Sequence, residues 1–162
     1  MENLFSEILW SFFISMLPVV ELRLALPYAL AHGINVVAAA VICIIGNLLP
    51  IPFILLFVRR IFNWLKQRKK IAPLVHKIEA RAFNKSENIM KYSAWGLVLF
   101  VAIPLPGTGA WTGALIAALL DMRFKYAMPA IALGVLIASI LVSVVCYLIA
   151  SGIAPFLGWL IA

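Results

Sequence analysis

The chain has 162 residues, 65% hydrophobic and 12% charged, with a net charge of +7 and a mean hydropathy of +1.11. A soluble domain is nearer half apolar and a quarter charged, so a water-soluble globule is excluded and one membrane-embedded domain, 1–162, is expected. Ten of the thirteen basic residues fall between Arg59 and Lys91, so the charge marks a loop, and with no reading motif beside it nucleic-acid binding is set aside.

The N-terminus carries Glu2 and Glu7 where a signal peptide would carry basic residues, so no cleaved leader is expected. Leu4 to Leu17 is apolar and helical in character. Its fourteen residues reach only about 21 Å, short of a hydrocarbon core of about 30 Å. Pro18 interrupts it, and Leu22 to Ala31 returns as a second short helix, kinked at Pro27 and ended by His32-Gly33. Leu4 to His32 reads as a re-entrant helical hairpin, and the rival is one broken spanning helix. Val36 to Val58 is a full span containing Asn47, Pro50 and Pro52, with Arg59 and Arg60 at its cytoplasmic end.

Residues 59–92 form the basic segment. Ile61, Leu65, Ile71, Leu74, Val75, Ile78, Ala82 and Phe83 recur at roughly helical spacing, with Pro73 dividing two amphipathic helices. Such helices suit the membrane surface, held by anionic lipid headgroups. Trp95 to Leu120 is the second hairpin, broken by Pro104 to Gly113, which reads PLPGTGAWTG. Two prolines and three glycines in ten residues break a helix, yet the apolar flanks do not suit a water-facing loop. Broken backbone survives at membrane depth only where protein or a wet cavity surrounds it. Asp121, Arg123 and Lys125 make a polar turn expected to be solvated. Tyr126 to Ala150 is the second span, with small faces at Gly134-x-x-x-Ala138 and Ser139-x-x-x-Ser143. Residues 151–162 are too few to span.

The fold expected is therefore all-α and membrane-integral: two inverted repeats, each a re-entrant hairpin plus one full transmembrane helix, 1–58 and 93–150, joined by the basic cytoplasmic segment. The positive-inside rule chooses between this and four plain spans. With two hairpins, Arg123 and Lys125 fall on the same side as the basic loop; with four spans they fall opposite it. Paired interruptions in corresponding halves point to a transporter's substrate site.

Glu21 and Arg23 are the only charges between Ile8 and Val58. Ionisable groups at membrane depth are costly and mark function. Glu21 is the candidate for proton coupling and Arg23 for an anionic group, the alternative being a fixed ion pair between elements. Residues two apart do not face each other on a regular helix, so any pairing needs the broken backbone or another element. Asn47 needs a hydrogen-bond partner within the bundle. If a half-helix starts near Thr108, its free N–H groups form an anion site to which Thr108, Gly109, Trp111 and Thr112 contribute. The alternative is close packing through Gly109-x-x-x-Gly113. Cys43 and Cys146 read as buried small hydrophobes, and His32 and His76 as surface residues. No catalytic or metal cluster is apparent, so neither enzyme activity nor a cofactor is expected.

Three pieces carry a resemblance: ELRLALPYALAHG from Glu21, Gly46-Asn47-x-x-Pro50, and PLPGTGAWTGALIA with its following Asp121. Over almost the whole chain they resemble the small multidrug export family of bacteria and archaea. More loosely, the layout resembles DedA-like membrane proteins. That resemblance implies inverted hairpin repeats, intramembrane acidic and arginine residues, and proton-linked movement of lipids such as undecaprenyl phosphate. This chain departs from it in the second hairpin, which holds no arginine before Arg123. The function expected is a small transporter or flippase in a prokaryotic cell membrane, multi-pass, forming a homodimer or higher oligomer, and moving an amphipathic substrate such as a polyprenyl phosphate. The alternatives are export of cationic amphiphilic drugs, or a non-transporting scaffold. A membrane-embedded lipid enzyme ranks third.

Overall fold

The computed structural model describes residues 2–66, 87–105 and 107–151. Seven α-helices and no strands occur among them. They are α1 (Glu2–Met16), α2 (Glu21–Ala31), α3 (Val36–Leu48), α4 (Ile51–Lys66), α5 (Glu87–Ala102), α6 (Ala110–Leu119) and α7 (Phe124–Ala150). The expected amphipathic helices around Pro73 and the C-terminal tail lie outside the described residues.

Two runs, Val36–Val58 and Phe124–Ala150, are long and apolar enough to cross a bilayer. Only 28% and 33% of their most apolar windows is buried. A core helix of a soluble protein would be mostly buried, so these outward apolar faces suit lipid. Pro50 lacks an N–H and Leu49–Pro50 is non-helical, so the first run is divided into α3 and α4 and not merely kinked. The other helices are short. α1, α2, α5 and α6 have 15, 11, 16 and 10 residues, reaching roughly 15 to 24 Å.

The chain divides into two compact units, Met1–Asn47 with Leu136–Ala162, and Leu48–Val135. The division does not follow the halves read from sequence. α4 belongs with the second hairpin, and α7 gives its first half to that unit and its second half to the other.

In the first unit, α1 packs on α2. The helix break at Leu17–Val20 follows from Pro18, and the chain resumes at Glu21, whose φ of 48° lies in the left-handed region. Leu22, Ala25, Leu26 and Ala29 form the buried stripe of α2, with the i, i+3, i+4, i+7 spacing of one helix face. Ser11 and Ser15 are fully buried in α1. Each donates to a carbonyl of its own helix, Glu7 and Phe12, at 2.7 Å, so burial leaves neither hydroxyl unbonded. In the second unit, α6 packs against α4 and α5. Its buried stripe is Ala110, Gly113, Ala114, Ala117 and Ala118.

The two hairpins share a frame 88 positions apart. Residues 21, 22, 25, 26 and 29 are buried, and so are 109, 110, 113, 114 and 117. Both second helices end in the same cap. The N–H groups of Gly33 and Ile34 bond to Leu30 and Ala29 carbonyls, each at 3.1 Å. Those of Asp121 and Met122 bond to Ala118 and Ala117 at 3.2 and 2.9 Å. This is a Schellman motif, with its left-handed residue at Gly33 (φ 79°) and Asp121 (φ 50°) and a buried apolar residue next, Ile34 or Met122. Asp121 is thus the pivot of a helix cap, not simply a solvated turn residue. The following helix starts three residues later in each half, at Val36 and Phe124. Asn35 caps α3 by accepting from the Val37 N–H at 2.9 Å.

The frame extends to a glycine in each following helix. A Cβ on Gly46 would collide with Ser15 Oγ and lie 2.6 Å from the Phe12 carbonyl of α1. A Cβ on Gly134 would lie 2.7 Å from Val101 Cβ and 2.9 Å from the Val98 carbonyl of α5. Each hairpin's first helix therefore meets the backbone of the helix that follows the hairpin.

Candidate functional site

Glu21 opens α2 at the hairpin break and is 6% exposed. A carboxylate in a first helical turn faces the positive end of the helix dipole. Arg23 is half-buried and interacts electrostatically with Glu21. Two residues apart on a regular helix they would diverge. Glu21 has left-handed backbone at the helix break, so regular-helix geometry does not hold at this position. Neither residue is isolated.

Asn47 lies in the last turn of α3 and is 3% exposed. Its Oδ1 has no hydrogen-bond partner among the described residues. A buried acceptor left unsatisfied costs about 1–3 kcal/mol, and most buried polar atoms in folded proteins avoid that cost. Glu21, Arg23 and Asn47 belong to one compact unit.

The other predicted residues belong to the second unit. α6 starts at Ala110 with Gly109 as N-cap, two residues later than the Thr108 start expected. No side chain caps it. Thr108 Oγ1 instead donates within the loop, to the Ile103 carbonyl at 2.8 Å and the Leu105 carbonyl at 3.0 Å. Both bonds are made within the loop. Thr112 Oγ1 donates to the Gly109 carbonyl at 3.3 Å, and Trp111 is half-buried. The φ of 166° at Gly109 is extended backbone open to any residue, whereas Gly107 has a φ of 82°. Thr108 is thus bonded into the loop and Thr112 to the N-cap residue Gly109, and Gly113 packs into unit two, where a Cβ would lie 2.6 Å from Val101 Cγ2.

A cavity of about 480 Å³ lies within the first unit. Pro27, Leu30 and Ala31 of α2, Val36 of α3, and Cys146 and Tyr147 of α7 line much of it. Its walls are apolar and its volume suits a small molecule. Cys146 is therefore a half-buried cavity residue, while Cys43 is fully buried.

One polar cluster went unread in the sequence. Tyr28 Oη donates to Glu7 Oε2 at 2.7 Å, and His32 Nε2 lies 3.8 Å from the same oxygen. The Tyr28 and His32 rings are 4.2 Å apart. Accepting from this phenol, the Glu7 carboxylate pushes the Tyr28 pKa above its ordinary value. The signal was the i, i+4 spacing of Tyr28 and His32; pairing them with Glu7 needed the fold of the hairpin.

Residues 21–141 match the family described as "Putative small multi-drug export protein". No curated protein and no solved structure gives a match. The matched stretch runs from Glu21 through Asn47 and the Pro104–Gly113 loop into α7, three quarters of the chain, and the chain accordingly belongs to the small multi-drug export protein family.

Proposed function

We propose that this membrane protein exports a cationic amphiphile carrying N–H groups, in exchange for a proton held at Glu21. The observation that carries the reading is the buried Asn47 Oδ1, an acceptor without a donor among the described residues. Its complement is a donor. A phosphate headgroup offers mainly acceptors, whereas an ammonium group offers N–H. The buried Glu21 carboxylate points the same way, because a substrate cation and a proton compete for one negative charge. This reading sets drug-like export ahead of polyprenyl phosphate movement. Arg23 argues against a cation unless Glu21 neutralises it.

In this proposal the helix breaks are the tips of two re-entrant hairpins. The support is that α1, α2, α5 and α6 are each shorter than a bilayer core. One span then separates two hairpins of common frame, so they enter from opposite faces and the repeats are inverted. The candidate residues fall in two sets, Glu21, Arg23 and Asn47 in the first unit and Thr108, Gly109, Trp111 and Thr112 in the second. The basic segment lies on the cytoplasmic surface against anionic headgroups, in a prokaryotic cell membrane. A second copy of the chain completes the path. No covalent step is catalysed and no cofactor is used.

The test is ethidium transport by the full chain in liposomes under an imposed pH gradient. Gradient-driven movement that is lost in Glu21→Gln and Asn47→Leu supports the proposal. Movement of a short-chain polyprenyl phosphate without ethidium would return the site to the anionic reading. Absence of both would leave a scaffold.

A further inference from the structure

We propose that His32 Nε2 is a proton-binding site, separate from Glu21, whose occupation latches the open end of the first hairpin. His32 Nδ1 lies 2.8 Å from the Tyr28 backbone carbonyl. A carbonyl oxygen can only accept, so Nδ1 carries a hydrogen. Neutral His32 therefore has its bare nitrogen at Nε2. That nitrogen lies 3.8 Å from Glu7 Oε2, a lone pair facing a carboxylate oxygen. One proton taken from water onto Nε2 turns this opposition into an ion pair between α1 and the end of α2. No other bond is made or broken. Tyr28 keeps its hydroxyl hydrogen and holds Glu7 Oε2 in place at 2.7 Å.

Two observations make this more than a surface contact. First, the shared cap does not require it. The second hairpin closes with the same cap, yet the residues 88 positions after Tyr28 and His32 are Ile116 and Leu120, and the one after Glu7 is Trp95. Second, the His32 and Glu7 side chains are 40% and 25% exposed, so protein does not enclose them. An imidazole nitrogen with a free lone pair is a proton acceptor. Among the described residues, the charged or titratable groups in contact with it are Glu7 from α1 and Tyr28 from α2. Tyr147 and Cys146 of α7 line the cavity beside Ala31. The latch stands whether or not the chain moves a solute.

Two measurements on the full chain in liposomes test it. Nitrogen NMR of ¹⁵N-histidine-labelled protein, assigned with a His76→Gln variant, reports which ring nitrogen is bare. Neutral His32 with hydrogen on Nδ1 supports the site; hydrogen on Nε2 overturns it. Nitroxide labels at Phe5→Cys and Ala31→Cys, with Cys43 and Cys146 replaced by alanine, report the separation of α1 and α2. The expected result is a narrower distance distribution at pH 6 than at pH 8. That change should vanish in His32→Phe, which keeps a ring over Tyr28, and in Glu7→Gln. A distribution that ignores pH in the parent chain, or a response that survives in both variants, would overturn the latch.

Discussion

Replacing Gly134 with alanine isolates the packing on which the repeated frame depends. The new Cβ would lie 2.7 Å from Val101 Cβ, 2.9 Å from Val101 Cγ1 and 2.9 Å from the Val98 carbonyl. Val101 is 1% exposed, and its Cβ is fixed to the backbone of α5, so no rotamer change relieves the contact. Carbon atoms rest at roughly 3.5–4.0 Å, so α5 and α7 must separate locally by about 1 Å. Overpacking of this kind costs about 1–3 kcal/mol. Alanine also improves helix propensity by about 1 kcal/mol over glycine, which masks part of that cost. Gly96→Ala is the matched control. Gly96 lies in α5, and a Cβ added there would meet nothing within 4 Å, so the variant gains the propensity without the collision. The difference between the variants therefore leaves the packing term, about 1–3 kcal/mol in favour of Gly96→Ala. Reversible unfolding of both in mixed micelles, followed by circular dichroism, measures it. Equal midpoints would refute the close approach of α5 and α7.

Other outcomes follow from the site and its loops. Gly46→Ala should destabilise by about 1–3 kcal/mol, and Ser15→Ala in the same chain should recover part of the loss by removing the colliding hydroxyl, read by the same unfolding assay. Asn47→Leu should raise stability by about 1 kcal/mol, since it removes a buried unsatisfied acceptor, while abolishing ethidium transport; a stability loss would show that the amide is satisfied. Thr108→Val removes the donor to the Ile103 and Leu105 carbonyls and should cost about 1–2 kcal/mol, with faster proteolysis of the loop as the readout. Glu21→Gln should keep the fold and eliminate the pH dependence of transport, whereas a fixed structural pair would show its loss in thermal stability instead.

Membrane residence was legible because it depends on composition: 65% apolar residues in long runs can be accommodated only by lipid. The helix breaks at Pro18 and around Pro104–Gly109 were legible because proline and glycine act locally, on their own backbone. Glu21, Arg23 and Asn47 stood out because a polar group amid apolar residues costs energy wherever the chain goes. The sequence alone could not show how those groups are partnered. That Thr108 spends its hydroxyl on carbonyls three and five residues back depends on how the loop turns, that Asp121 shares the left-handed cap role of Gly33 depends on backbone angles no residue type dictates, and that Gly46 and Gly134 admit a neighbouring helix depends on contacts between residues distant in the chain. The Glu7–Tyr28–His32 cluster spans 21 positions from Glu7 to Tyr28, so only the folding of α1 onto α2 brings it together. Hydropathy and breakers are properties of a segment; hydrogen-bond satisfaction and steric room are properties of pairs, and pairs exist only once the chain has packed.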